Sequence, residues 1–326
     1  MGGQKILDHL TSGSWISGEE IGSRLGISRA AVWKQIQGLR ARGYEIDSST
    51  NRGYRLIGSP ALLDPEWIQN RLRTDIIGHD LRFFSEVRST NDMAKSIASA
   101  CGDGTVVLAE TQTEGRGRLS RFWASPRGGV WMSLVLKPKI ALAKVYWINI
   151  AISVAISRAL LELYGLEAGI KWPNDLLINE KKVCGILTEI SAEMDKLEYA
   201  VVGLGVNANV EVSIFPDQWN ATSLSFELGY EVSRNELVQQ LINEIDFVYT
   251  RMDTKELYRE WCRKSSTLGK YVRVYTSLGN LEGKAIALSE DGALCLRNRE
   301  GDMRVLAGDC IHLRTLSDIG NEEVQV

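Results

Sequence analysis

The chain has 326 residues, 44% of them hydrophobic, which is enough apolar material for two or three packed cores and excludes a disordered chain. With 38 Lys and Arg against 41 Asp and Glu the net charge is only -3, so binding to nucleic acid would have to rest on a local basic patch. Five scattered cysteines without a C-x-x-C pair speak against a disulfide framework and a structural zinc site, and fit reduced thiols in a cytoplasmic protein. The start of the sequence lacks a basic segment followed by an apolar one. The most apolar stretch, Val145 to Ile156, is too short to span a bilayer and is broken by Asn149 and Ser153, so no membrane is expected.

Residues 1–60 form the first expected domain, closed by Gly58-Ser59-Pro60, where proline stops helix continuation. A short helix is expected over about Lys5–Leu10. Ser17-Gly-Glu-Glu20 has the spacing of a capping box and predicts a second helix that buries Ile21 and Leu25 and stops at Gly26. Ser28 caps a third, with Val32, Ile36 and Leu39 at i, i+4 and i+7. Arg29, Trp33, Lys34, Gln37 and Arg40 lie off that stripe, on a cationic face free of acids. Two β segments, around Tyr44–Ile46 and Gly53–Leu56, are joined by a tip carrying Asn51 and Arg52 and complete a winged helix-turn-helix plan. Over residues 1–58 basic side chains exceed acidic ones by three. The expected DNA contacts are Ser28, Arg29, Trp33, Lys34 and Gln37 in the major groove, with Arg52 of the wing on the backbone. On a protein-binding module the same face would simply be solvated; helix spacing, charge sign and wing together favour DNA.

Residues 62–264 read as a mixed α/β domain. Ser89-Thr-Asn-Asp92 starts a helix continued by Ala94, Ile97 and Ala98. Thr105–Ala109 is a strand, Gln112–Arg121 a loop rich in Gly and Arg, and Val130–Leu136 a strand with alternating character. A long apolar helix is expected over about Lys144–Leu163. Gly169–Trp172, Leu176–Ile178, Val183–Ile190 and Tyr199–Val206 then form an antiparallel meander with helices on one face. Helices at about Asn235–Met252 and Thr254–Lys264 follow, the first with Leu237, Leu241, Ile245 and Val248 at helical spacing. Residues 268–316 change to short strands separated by Gly-Asn, Asp-Gly and Glu-Gly turns, the pattern of a small SH3-like β-barrel. The acidic tail after Thr315 is expected to fray.

Two runs carry the chemistry. Gly115-Arg-Gly-Arg118 places two guanidinium groups on a glycine-rich loop, and Lys171-Trp-Pro-Asn-Asp175 places an ammonium and an amide on a turn stiffened by proline. Joining a carboxylate to ATP gathers negative charges that only positioned cations, N–H groups and metal can offset, and these runs supply such groups. Gly203-Leu-Gly205-Val-Asn207 is not a dinucleotide fingerprint, because it lies inside an expected strand and opens no helix. Cys184 has no base partner, and His9, His79 and His312 are scattered, leaving neither a catalytic triad nor a metal cluster.

These runs, with Lys182-Val-Cys-Gly185-Ile-Leu and Gly203-Leu-Gly205-Val-Asn207 in the same order, closely resemble the bacterial biotin protein ligases that double as biotin-operon repressors. The resemblance covers essentially the whole chain and implies a central ligase domain akin to class II synthetases. It implies that biotin and ATP, with Mg2+, give biotinyl-5′-AMP and pyrophosphate. Biotin then passes to a lysine of the biotin carboxyl carrier protein of acetyl-CoA carboxylase or another biotin-dependent carboxylase. By matched position Ser89, Thr90, Asn91 and Gln112 hold the biotin ring, Gly115, Arg116 and Gly117 lie beside it, and Gly203 and Gly205 leave room for ring and tail. Ser89 also has the place of a helix cap, and Gln112 could be an exposed loop amide.

Arg118 and Lys182 are the catalytic candidates. The resemblance puts Arg118 over the biotin carboxylate and α-phosphate, where its planar fork retains the reactive anhydride. Lys182 neutralises the same oxygens, and strand alternation turns its neighbour Lys181 to the other face. Lys171 and Asn174 are matched to the triphosphate, while Asp175 reads as a turn former. Arg121 and Trp123 match contacts to phosphate and the adenine side, and Asn207 with the loop Asn209–Ala221 closes over adenine. Leu119-Ser120 departs from the Gly- or Arg-rich pattern common in relatives.

Repression is implied too. The adenylate favours a homodimer, with strand Tyr199–Val206 and loop Glu110–Arg118 as expected contact surfaces, and so pairs two helix-turn-helix domains on operator DNA. A lipoate ligase shares the central architecture, and a sensor without catalysis or a ligase without DNA binding are further readings. The N-terminal domain, Gly-Arg-Gly-Arg and the closing β domain favour biotin over lipoate. The presence of Arg116, Arg118, Lys171 and Lys182 favours a working enzyme.

Overall fold

The computed structural model describes residues 6, 9–10, 14–41, 44–58, 62–194, 196–252 and 254–313. Most of the expected helix at Lys5–Leu10, the Ser59-Pro60 boundary and the acidic tail lie outside the described residues. The chain divides into two compact units, Met1–Asn70 and Arg71–Val326.

In the first unit, helix α1 (Gly18–Leu25) begins where Ser17 Oγ accepts from Glu20 N at 3.0 Å and ends at Gly26 in the left-handed region. Helix α2 (Arg29–Ala41) is capped by Ser28, whose Oγ accepts from Ala31 N at 3.2 Å. Strands β1 (Glu45–Ser49) and β2 (Gly53–Gly58) pair antiparallel as the wing, and a short helix α3 (Pro65–Gln69) follows. Ile21, Val32, Ile36, Leu39 and Ile46 close one core, as the helical spacing requires. Arg40 departs from the expected outward face: its guanidinium donates to the Ile46 carbonyl at 3.1 and 2.6 Å and ties the wing to α2.

The second unit is built on a seven-stranded mixed sheet. Its elements are β3 (Leu81–Phe84), α4 (Thr90–Ala98), β4 (Thr105–Ala109), β5 (Val130–Leu136), α5 (Trp147–Tyr164), β6 (Gly169–Lys171), β7 (Asp175–Ile178), β8 (Lys181–Glu193) and β9 (Lys196–Val206). Helices α6 (Leu224–Leu228), α7 (Arg234–Tyr249) and α8 (Lys255–Arg263) follow. The strand order is β3-β4-β5-β9-β8-β7-β6, with only β3 and β4 parallel, so the expected meander is β6 to β9. Helix α4 packs Ala94 and Ala98 on Val107, Val135 and Val201 of β4, β5 and β9, while α5 lies against β6 to β8 and carries α7 and α8.

Every residue of β4 and β5 is buried, so the expected alternation and one-sided cover do not hold at the sheet centre. A strand covered on both faces reads as a near-continuous apolar run, and that is the sequence here. The stretch Leu142–Tyr164 is long and apolar enough to cross a membrane, yet 67% of its most apolar window is buried inside the fold. Strand β9 is hydrogen-bonded to β5 on one side and β8 on the other, and Glu110 is buried.

The closing strands are β10 (Tyr271–Thr276), β11 (Gly279–Leu288), β12 (Leu294–Asn298), β13 (Gly301–Val305) and β14 (Asp309–His312). They form an antiparallel sheet in the order β13-β12-β11-β10-β14, and among the described residues β13 and β14 do not pair to close it. Ile170 N donates to Lys264 O at 2.7 Å, Ser266 N to Ile170 O at 2.9 Å and Trp172 Nε1 to Gly292 O at 2.8 Å. These bonds fasten the end of α8, the α8–β10 connection and the β11–β12 turn to the β6 edge of the large sheet.

At the start of α7, Arg234 lies 2.7 Å from Glu110, with side chains 5% and 3% exposed, and also donates to Gly129 O at 3.1 Å. Removing one member of a buried ion pair leaves the other charge without compensation. Arg234→Met is therefore expected to destabilise the second unit by about 3–5 kcal/mol, read as a shifted urea midpoint at unchanged slope.

Candidate active site

A cavity of about 1290 Å³ opens in the second unit, walled by α4, the loop 112–123, the β7–β9 region and β14. One end is an uncharged polar network. Ser89 caps α4, its Oγ accepting from Asp92 N at 3.4 Å, and lines the cavity as well, so the two readings of Ser89 are compatible. Thr90 donates from N and Oγ1 to Gln112 Oε1 at 2.8 and 3.0 Å, and Gln112 Nε2 donates to Ser125 Oγ at 2.8 Å. Gln112 is thus a wired member of the wall rather than an exposed loop amide. Ser133 Oγ lies 2.7 Å from both Thr90 Oγ1 and Asn91 Oδ1, and Asn91 Nδ2 donates to Glu189 Oε2 at 2.7 Å. Sequence reasoning missed Ser125, Ser133 and Glu189; a lone hydroxyl inside the apolar run Val130–Leu136 was the signal available for Ser133.

Gly203 and Gly205 both line the cavity, and both also stand close to side chains of its wall. A Cβ on Gly203 would stand 2.3 Å from Asn91 Oδ1, and one on Gly205 would stand 2.4 Å from Trp123 Nε1. In this structure the groups they admit are Asn91 and the Trp123 indole, which also lies near Gly185, the cross-strand partner of Gly205.

The loop is held by charge. Arg116 grips both carboxylate oxygens of Asp92 in the first turn of α4, and Arg88 pairs with Glu114 at 2.6 Å. The hydrogen bond from Arg116 holds the Asp92 carboxyl below its ordinary pKa. Gly115 O accepts from Trp123 N at 2.9 Å and Gly117 N donates to Arg121 O at 2.7 Å, giving the loop a hairpin-like base. Its tip, Leu119 and Ser120, has φ of 54° and 56°, the left-handed region that favours glycine, which is where this sequence departs from the glycine-rich pattern.

At the charged end, Lys182 Nζ is 2.7 Å from Asp175 Oδ1 and 4.9 Å from the Trp123 ring centroid. Asp175, the first residue of β7 after the turn, is therefore the counter-charge of Lys182. Arg118 lies 3.3 Å from Asn174 Oδ1, while Asn174 Nδ2 donates to Ile186 O at 2.6 Å, so this amide anchors the turn to β8. Burial pulls the Arg118 guanidinium below its usual pKa, and Asp309 and Asp175 oppose that effect. Arg121 pairs with Asp309 of β14 at 2.6 Å. Lys171 lines the cavity beside them. Asn207 Nδ2 donates to Thr222 O at 2.9 Å, whereas its Oδ1 is buried without a partner. Lys182 N donates to Asn220 O at 2.8 Å and Thr222 N to Lys182 O at 2.9 Å, which lays the loop 209–221 along β8. Cys184 is buried and its thiol pKa is pushed up by that burial, so it is no nucleophile.

In the first unit, Ser28, Arg29, Trp33, Lys34 and Arg52 are exposed and Gln37 is half-buried, with Trp33 at 58%. Arg52 and Arg55 lie 5.9 and 4.8 Å from the Trp15 ring centroid, a cation–π support for the wing.

Comparison with known proteins converges on one family. Residues 83–207 match the Biotin/lipoate A/B protein ligase family, residues 4–55 an HTH domain and residues 267–313 the Biotin protein ligase C terminal domain. The chain is 38% identical to the Bifunctional ligase/repressor BirA of Bacillus subtilis (strain 168) over 302 residues, 90% of this chain and 93% of that protein. The chain belongs to the bifunctional biotin ligase/repressor family. It is 28% identical to the protein of the same name from Escherichia coli (strain K12), over 95% of this chain and 97% of that one. Among solved structures, the biotin protein ligase from Aquifex aeolicus in complex with biotin and ATP superposes with a TM-score of 0.63 at 30% identity, covering 72% of this chain and 99% of that one. This ligase/repressor thus joins a helix-turn-helix domain to a central biotin-ligase fold and its family's C-terminal domain.

The far wall of the cavity carries His312, which sequence reasoning left unassigned. Its Nε2 is 3.1 Å from Thr267 Oγ1, and its Nδ1 is 3.5 Å from Lys270 Nζ and 3.7 Å from Glu180 Oε2. Burial, then the charges of Lys171 and Lys270, push its pKa down to about 4. An unfolded histidine titrates near 6.5, so between those values the unfolded chain binds more protons, and stability falls as pH drops from about 6.5 toward 4. The melting temperature should fall less steeply over that window in His312→Gln than in the wild type.

Proposed function

We propose that this chain is a cytoplasmic, ATP-dependent biotin–carrier protein ligase that also represses biotin-operon transcription. The observation that carries the reading is the union, in one cavity, of a neutral hydrogen-bonding end (Ser89, Thr90, Asn91, Gln112) with a cationic end (Arg118, Lys171, Lys182). A ureido ring needs donors and acceptors when desolvated, and a carboxylate meeting a triphosphate needs positive charge.

In the first step a biotin carboxylate oxygen attacks the α-phosphorus of ATP and pyrophosphate leaves. Lys182 releases Asp175 to neutralise the carboxylate and α-phosphate oxygens, and Arg118 spans the same oxygens with its fork. Lys171 and Arg121 meet the outgoing phosphates, and Asn174 keeps their turn in place. The open Oδ1 of Asn207 is an acceptor for the adenine amino group, with Trp123 and the loop 209–221 covering the base. In the second step a carrier-protein lysine amine attacks the acyl carbon, a C–N bond forms and AMP leaves. Mg2+ is assigned to the nucleotide, since among the described residues no three His, Cys, Asp or Glu side chains converge to hold a metal.

The chain acts as three modules, with the C-terminal one as an SH3-type platform beside the phosphates. The adenylate favours a homodimer, which sets two helix-turn-helix domains on a two-fold operator, with Ser28, Arg29, Trp33, Lys34 and Gln37 over base edges and phosphates and Arg52 on the backbone.

Pyrophosphate release and mass-detected acylation of a carrier-domain lysine, with biotin, lipoate or octanoate offered alongside Mg-ATP, test the reading. Transfer of biotin alone is expected; lipoate transfer or no turnover overturns it. Lys182→Ala should slow adenylate formation by roughly 10²–10³-fold, the usual cost of losing one charge-stabilising group. Arg118→Ala should still form adenylate but release it to solvent, measured as free biotinyl-5′-AMP.

A further inference from the structure

Strand β14 forms one wall of the cavity, and its two ends face different charges. Asp309, at its start, meets Arg121 and lies near Arg118. His312, at its end, meets Lys270 and Glu180 and lies near Lys171. Three residues of extended strand separate the two groups by about 10 Å. The Arg118 end belongs to the carboxylate and α-phosphate in the reading above and Lys171 to the outgoing phosphates, which leaves Lys270 and His312 without a role.

We infer that Lys270 and His312, together with Lys171, form the subsite for the terminal phosphates of ATP and for pyrophosphate before its release. The inference rests on the ligase reading and extends its site into the C-terminal module. The charged groups facing the His312 ring are Lys171 from β6, Lys270 from the segment before β10 and Glu180 from the β7–β8 turn. Lys270 and Glu180 form an ion pair, but Glu180 is 62% exposed, so a more highly charged anion can displace its carboxylate to water. Thr267 Oγ1 accepts from Trp172 N at 3.0 Å and lies 3.1 Å from His312 Nε2, which fixes the ring.

Proton linkage follows from the same arrangement. Burial first, and then two ammonium groups, keep the imidazole neutral; a bound polyphosphate offsets the ammonium field, and the ring takes up a proton as the anion arrives. His312 then adds a third cationic contact that exists only while the anion is bound, and loses it on release.

The sequence holds three histidines, His9, His79 and His312, so imidazole signals of the intact protein can be followed by NMR with His312→Gln to assign one of them. With saturating magnesium pyrophosphate the His312 midpoint should climb from about 4 to above 5. Pyrophosphate affinity, measured between pH 5 and 7, should strengthen with falling pH about twofold more in the wild type than in His312→Gln. Lys270→Ala should bind pyrophosphate about tenfold more weakly, as expected for a lost charge-assisted contact. Pyrophosphate that binds without moving His312, equal affinities in Lys270→Ala and wild type, or no pyrophosphate binding each overturn the subsite. Biotin-dependent adenylate formation by the same preparation separates the two claims: adenylate with an unmoved His312 sinks only the subsite. A moved His312 without adenylate upholds an anion site and sinks the ligase reading.

Discussion

Positive charges crowded into a half-buried cavity repel one another, and the carboxylates facing them are what let this site keep its shape. Two like charges 4 Å apart cost on the order of 4 kcal/mol at the effective dielectric of a protein surface. Here Arg116 rests on Asp92, Lys182 on Asp175, Arg121 on Asp309 and Lys270 on Glu180. In each pair the two members come from different elements: loop and α4, β8 and β7, loop and β14, closing segment and β7–β8 turn. The cationic surface therefore exists only when sheet register, loop and C-terminal strands are all in place. Partly exposed pairs of this kind add little stability, so their contribution lies in position and charge state.

The sheet sets that register. Gly185 and Gly205 stand opposite each other on β8 and β9, and the Trp123 indole lies over the gap their missing side chains leave. An irregularity between Leu176 and Leu177 shifts the β7–β8 pairing from Cys184 to Lys182, which brings the lysine toward Asp175 at the start of β7. The irregularity re-aims a side chain next to the site, as bulges commonly do. With β4 and β5 buried on both faces, the sheet cannot flex without exposing core, and the polar network hung on Ser133 inherits that rigidity.

What was legible in the sequence was local. Val32, Ile36 and Leu39 announced α2 through their spacing, Ser17 and Ser89 announced helix starts, and the Gly-Arg loop read as a loop for want of any apolar period. The motif positions were also legible, and all those placed in the second unit fall in or beside one cavity. What stayed hidden was pairing across distance. Nothing in a window around Asp92 foretells Arg116, and nothing near Arg234 foretells Glu110, because those partners meet only after the sheet has formed. The same holds for Gly205, whose open Cβ position is explained by Trp123, distant in sequence. Periodicity reports which face is buried; it is silent on what the buried face touches.

The pinned loop bears on how one ligand could serve two tasks. A ligand shifts an equilibrium between states only by its difference in affinity for them, and moving a population from 1:99 to 99:1 takes roughly a 10⁴-fold difference. Arg116 on Asp92 and Arg88 on Glu114 already hold the loop 112–118 against α4, so ordering that segment contributes little to any such difference. The segments left to respond are those with weaker anchorage: the left-handed tip at Leu119 and Ser120, and the loop 209–221. They meet through Phe122 and Trp219, with ring centroids 6.5 Å apart. An adenine ring placed between Asn207 and those aromatics would contact both segments at once. In the proposed adenylate-favoured homodimer, the coupling between ligand and quaternary state should therefore be carried by this apolar contact at the mouth of the cavity rather than by the salt-bridged floor, and it should be correspondingly insensitive to ionic strength.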